Sequence, residues 1–281
     1  LVVISLVLGL ACLPREGAKT PKKLALRPVI ALSIMFFAFI SALSAEHLMT
    51  FALLFIVGLV GAFLFFRFNR KESLIDLGIL QNHRFVALIF SLLVYQALLL
   101  GLSFVLPSFI QVSAGFSSSV AGLFMFPGAL IGAVLAPISG KVLDQIGARK
   151  PITTGLILAA LGLALLFIFL PTKSLALLLV AHIVLMLGLG ISYSNLMTCS
   201  LSTLATDQLS DGNALVNTLQ QFIGAVATAV VATTLSIFQG LNGFKVGTSH
   251  GTSIILALFF ILIIVSLIVS FPNLKKIRAN H

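Results

Sequence analysis

Eight apolar runs of membrane-spanning length constrain this chain more than any other feature. They are Pro28 to Ala45, Leu48 to Phe66, Phe85 to Leu106, Val120 to Ser139, Ile152 to Leu170, Leu175 to Met197, Asn213 to Phe238 and Thr252 to Phe271. At ~1.5 Å per residue the shortest cover roughly 27–29 Å, enough to cross a bilayer core as helices. In hydrocarbon every backbone N–H and C=O must be satisfied within the protein, so such runs fold as helices. The links between them are short, and neighbouring helices must therefore run antiparallel. With 59% of residues hydrophobic and 9% charged, too little polar surface exists to coat a soluble domain. The expected fold class is an all-α membrane protein with eight full transmembrane helices. A truncated first helix precedes them over Leu1 to Leu13.

The net charge of +10 is a membrane signal here, not a nucleic-acid signal, because the cations lie in clusters between the apolar runs. Residues 14–27 hold Arg15, Lys19, Lys22, Lys23 and Arg27; residues 67–84 hold Arg67, Arg70, Lys71 and Arg84. Alternating the spans leaves only Lys173 and Lys245, of 17 Lys and Arg, on the opposite side. The positive-inside rule then puts the clusters and the C-terminus in the cytoplasm of a multi-pass cell-membrane protein, a bacterial plasma membrane being the expected setting. The chain starts at Leu1 with no charged n-region and no cleavage site, so the first run reads as a helix tail and not as a signal peptide. Cys12 and Cys199 lie in or next to apolar runs without metal-ligand spacing and read as structural thiols.

The link Gly140-Lys-Val-Leu-Asp-Gln-Ile-Gly-Ala-Arg-Lys150 is the most distinctive short motif. Its spacing of Gly140, Asp144, Gly147, Arg149 and Lys150 resembles the cytoplasmic loop signature of the major facilitator superfamily of transporters. Gln145 stands where that signature usually has Arg. Further stretches resemble the fourteen-span drug:proton antiporters of that superfamily: Leu74-Ile-Asp-Leu with Leu80-x-Asn-x-Arg-Phe85, Leu106-Pro-Ser-Phe-Ile-Gln111, Gly115-Phe-Ser, Pro127-Gly-Ala129 and Asn217-Thr-Leu-Gln-Gln221 with Gly224. Gln220 occupies a place where the family usually carries Arg. The resemblance implies a division at 28–66 into two extra linking helices, at 67–84 into a cytoplasmic linker, and at 85–281 into a C-terminal six-helix bundle. It also implies that an N-terminal bundle is the missing partner, and that the membrane acids exchanging protons lie mainly there. No Asp or Glu falls in the middle of any span of this chain. The linker segment Leu74 to Leu80 has apolar spacing that suits either a short surface helix or a plain connection.

Polar residues inside the spans are the candidates for chemistry, since they are costly unless they face a bundle interior or cavity. Asn217, Gln220, Gln221, Gly224 and Thr228 recur at i, i+3, i+4, i+7 and i+11 and share a helix face. Cavity lining and interhelical hydrogen bonding both account for such a face. Tyr95 and Gln96 lie mid-span with the same two readings. His182 and Tyr193 are eleven residues apart, about 20° off one face at ~100° per residue. Tyr193 joins the substrate-binding candidates, and His182 is a candidate proton relay. Pro107, Pro127 and Pro137 interrupt helical hydrogen bonding, and Gly128-x-x-x-Gly132 permits close helix contact; packing is the default reading of both, a gating kink the rival.

The chain shows no hydrolytic triad, phosphate-binding Gly-Lys-Ser loop or metal-ligand cluster, so neither an enzyme nor an ATP-driven pump is expected. The expected function is the C-terminal part of a secondary transporter for amphipathic or cationic compounds. The resemblance implies a proton gradient as the energy source and no cofactor; the expected partners are a small-molecule substrate and the lipid bilayer, with no nucleic acid. A metabolite or nutrient carrier of the same fold and a non-transporting fragment with a structural role are the rival expectations.

Overall fold

The computed structural model describes residues 25–274 except Glu46 and Ser73, so the readings for Leu1 to Leu13, for the basic segment that follows and for the C-terminal cations lie outside the described residues. Eight long helices make up almost all of it, with no strand among the described residues. They are α1 (Leu26–Leu43), α2 (Leu48–Asn69), α3 (His83–Ser108), α4 (Ser118–Ile146), α5 (Arg149–Phe169), α6 (Leu175–Leu201), α7 (Leu209–Asn242) and α8 (Phe244–Asn273). Each is long and apolar enough to cross a membrane.

Helices α3 to α8 form one bundle around α3, which packs on α6, α7 and α8. Phe85, Leu88, Leu92, Leu98 and Leu102 of α3 are fully buried. The tightest seam joins α5 to α6. Small residues make it so: a Cβ on Gly188 would come within 2.5 Å of the Ala159 nitrogen and the Gly155 oxygen, and one on Gly162 equally close to the Leu185 nitrogen. In a membrane, where lipid is as apolar as leucine, such close backbone packing supplies much of the attraction between helices. Helix α4 is held differently. It lies mainly on α6 and buries only Ala121, Phe124, Gly128 and Ser139.

The α1–α2 hairpin stands beside the bundle. Gly61 lies against the Met35 backbone and Gly58 beneath the Phe39 ring. Its contact with the bundle runs from α1 to α7, through a stacked Phe36–Phe222 pair (centroids 4.3 Å apart) and a bond from Thr233 Oγ1 to the Leu43 carbonyl (2.8 Å). The linker after α2 is neither a free loop nor a surface helix. Asn69 accepts from the Leu74 and Ile75 N–H groups, Asp76 caps a 3₁₀ turn over Leu77–Gln81, and Ile75 and Ile79 are buried. Asn82 caps α3 and donates to the Thr203 carbonyl (2.9 Å), tying the linker to the α6–α7 connection.

Three links are shorter than the apolar runs imply, for one reason: a helix satisfies its own backbone, so it continues past the hydrocarbon into the headgroup zone. Helix α4 continues to Ile146, and Gly147 turns the chain at φ 76°. Helices α7 and α8 meet at Gly243 alone, at φ 75°. The chain does not leave the helix at Pro107 but continues through a π turn over Phe109–Ser113. Lys173 Nζ donates to the Ser113 carbonyl at that turn (3.1 Å), so one of the two cations at the sparsely charged end serves as a helix C-cap.

Candidate functional site

The polar centre of the bundle is a hydrogen-bond chain across three helices. Gln220 Nε2 of α7 donates to Tyr193 Oη of α6 (2.7 Å), and Tyr193 Oη donates to Gln96 Oε1 of α3 (2.7 Å). Gln96 and Tyr193 are half-buried, and Gln220 is buried. Few other contacts join α6 to α7, so the Tyr193–Gln220 bond is a principal bridge between them. Gly224, one turn beyond Gln220, lets Leu100 close against α7 and brings the Gln96 amide within 3.5 Å of where a Cβ would stand.

The polar face on α7 divides. Gln220 turns inward to Tyr193. Asn217 and Gln221 are exposed; Asn217 donates to the Asn213 carbonyl (2.8 Å), whereas Gln221 has no hydrogen bond among the described residues. Thr228 bonds back to the Gly224 carbonyl (2.9 Å). At ~100° per residue, Asn217 lies about 60° and Gln221 about 100° round α7 from Gln220, so Asn217 stands nearer the side that meets α6 and Gln221 midway between it and Phe222, which meets α1.

Tyr95 is not part of this group. It is fully buried, and its hydroxyl pairs with Ser192 of α6 (2.8 Å). Ser192 has one proton and also meets the Gly188 carbonyl (2.7 Å), so when it donates there Tyr95 donates to it. The pair closes onto Gly155 in the α5–α6 seam and presents no surface to a substrate. His182 shares its helix face with Tyr193 but lies about three turns away. It is buried against Phe124 (centroids 5.4 Å apart) and Gly128 of α4, and Met186 lies beside Gly128 as well. Its Nδ1 has no partner, and no carboxylate contacts it among the described residues. Of the Gly128–Gly132 pair, Gly128 makes the tighter contact; a Cβ on Gly132 would meet nothing, though its Cα lies 3.6 Å from where a Cβ on Gly190 of α6 would stand.

The loop motif gathers at the basic end of the bundle. Asp144 is exposed and makes no ion pair among the described residues, where the one salt bridge is Arg27–Glu72 at 3.5 Å. Arg149 stacks over the Phe271 ring of α8 (4.3 Å), and Lys150 is exposed. Gly140 has nothing within 4 Å of a would-be Cβ, so its role is not close packing in the bundle. Sequence reasoning missed two residues here. Asn195 is buried and donates to the Ser139 carbonyl of α4 (3.2 Å) and to Ile191 (2.9 Å), and Ser192 holds Tyr95. An amide near the end of an apolar run was the available signal for Asn195; nothing in the sequence marks Ser192.

Residues 1–228 match the family model described as the Major Facilitator Superfamily. The chain belongs to the major facilitator superfamily. It is a multi-pass membrane protein of a family of transporters, not enzymes. Its relatives include the lincomycin resistance protein LmrB of Listeria monocytogenes, 28% identical over 245 residues, which cover 85% of this chain and 52% of that protein. LmrB of Bacillus subtilis is 25% identical over 247 residues, covering 85% and 52%. A multidrug resistance protein B homolog of Mycobacterium tuberculosis is 29% identical over 184 residues, covering 64% and 34%. The chain spans about half the length of the LmrB relatives it matches.

Proposed function

We propose that this chain is the C-terminal part of a proton-coupled drug exporter of the fourteen-span type, and that Gln96, Tyr193 and Gln220 stand on the substrate path with Asn217 and Gln221 beside them. The observation that carries this reading is the hydrogen-bond chain itself. Polar groups within a span are costly, yet here two amides and a phenol meet mid-bundle with one edge open. Amides offer both donors and acceptors, and a phenol adds a flat face for stacking. Such a set orients amphipathic molecules without requiring one charge. That agrees with relatives named for lincomycin and multidrug resistance. Tyr95 belongs to the scaffold behind the site, as the partner that positions α3 on α6.

In the intact transporter the two bundles would rock about the site to open it to either side of the cell membrane. The basic end is cytoplasmic in this reading, and Asp144 latches the bundle to its missing partner there. His182, with no acid beside it among the described residues, is a packing residue and not a relay. The proton-exchanging acids belong to the other bundle.

The test is efflux of a fluorescent cationic drug from cells, measured per molecule of transporter in the membrane. Tyr193→Phe and Gln220→Leu are expected to lower efflux about tenfold at unchanged abundance. Efflux that falls only in step with abundance would place the cluster in the scaffold and remove the basis for the site.

A further inference from the structure

A cavity of about 280 Å³ opens between α3, α7 and α8, and no polar atom contributes to its wall. Its floor is made by small or fully buried residues: Ala97 of α3, Ala227 and Val231 of α7, and Ile255 of α8. Its rim is more exposed, with Leu258 at 42%. No residue of α6 lines it, so it does not share the polar centre at Tyr193. The ring of Phe259 lies across Gly101, one turn beyond Ala97, and closes the hollow at that end. The hollow is therefore built, with two alanines holding open a space that larger side chains would fill and a phenylalanine sealing one end.

We propose that this hollow holds an acyl chain of a membrane phospholipid. Three observations name the occupant. The lining residues lie near the middle of three membrane-spanning helices, at the depth of the hydrocarbon and not of the headgroups. The wall offers nothing to water, an ion or a headgroup, and apolar cavities of such size stay dry and take apolar guests. The rim is exposed at Leu258, on a helix long and apolar enough to cross a membrane, so an apolar chain can enter from outside the bundle. A chain inserted there restores the dispersion contacts that an empty void forfeits. It would join α3, α7 and α8 as a removable wedge. This assignment does not rest on the proposed substrate site.

The experiment uses the protein in nanodiscs of phosphatidylcholine carrying a photoactivatable diazirine near the end of one acyl chain. Cross-links are mapped by mass spectrometry, with α2 as the internal control, because its exposed apolar faces meet bulk lipid. The expected result is labelling at the buried floor positions around Ala97, Ala227 and Ile255 at least as strong as on α2. Ala227→Phe should cut the floor labelling fivefold or more while leaving α2 unchanged, and Ala97→Leu, a smaller filling, should act the same way if the first variant is not produced. Absent floor labelling, or floor labelling that neither variant lowers, overturns the proposal. So does displacement of the label by a transported drug, which would make the hollow a drug site.

Discussion

Two hydrogen-bonded pairs, Tyr95–Ser192 and Gln96–Tyr193, join the same two helices one residue apart. The first is completely enclosed, sealed against Gly155 and Gly188 in the α5–α6 seam. The second, a step of ~100° further round each helix, faces Gln220 and an open edge. The residue types do not separate these fates, since each pair contains a tyrosine. Position relative to the small-residue seam separates them. Here the polar pair next to the glycine seam is interhelical glue, and its neighbour one position on reaches a third helix at Gln220.

That contrast can be broken most forcefully from the closed side. Gly188→Leu sets a side chain where even a Cβ meets the Ala159 and Gly155 backbone, so neither helix can move aside locally. Overpacking of this kind costs about 3 kcal/mol or more. Loss of folded protein is expected by size-exclusion chromatography in detergent. A well-folded Gly188→Leu protein would mean that the seam is loose and the closed pair not really closed.

A finer separation comes from removing one oxygen at a time. Tyr95→Phe leaves Ser192 bonded to the Gly188 carbonyl and should cost only ~1 kcal/mol of stability, with transport per molecule unchanged. Tyr193→Phe strands the amides of both Gln96 and Gln220 at the open edge, and should lower transport far more than the melting temperature. Equal ratios of the two effects in both variants would erase the distinction.

The smallest effect is expected at His182, a closed polar residue with an unpartnered nitrogen. His182→Leu replaces a buried, unpartnered nitrogen with an apolar group of similar reach against Phe124. Stability should stay within about 1 kcal/mol of the parent or rise, since a buried polar atom without a partner is itself a cost. Proton-driven transport should persist. Its loss at normal abundance would return the relay role to His182.

The spans were legible in the sequence because apolar length and backbone satisfaction leave little freedom: each of the eight runs became a helix. Their ends were less legible, since α4 and α7 continue past the hydrocarbon until Gly147 and Gly243 turn the chain. Gln220 stood out as a polar residue in an apolar helix, but its partner did not. The Tyr193 contact depends on how α6 and α7 cross, which periodicity within one helix does not encode. Tyr95 and Gln96 looked equivalent for the same reason. The face each presents to α6 is set by Gly155 and Gly188, residues of α5 and α6 far away in sequence. The stretch around Lys245, between the seventh and eighth apolar runs, is also helical: Thr248 lies inside α8, buried and bonded to Gln239 (2.8 Å).

In the proposed site the open edge beside Tyr193 faces the substrate path and not lipid, and Gln221 is its most direct reporter, being exposed with no hydrogen-bond partner among the described residues. The decisive measurement is thiol labelling of Gln221→Cys by a water-soluble maleimide in a background lacking Cys12 and Cys199, with and without a transported drug. Labelling that saturating drug slows several-fold is expected. Labelling only by a membrane-soluble maleimide, indifferent to drug, would put Gln221 in the bilayer and contradict the proposed site.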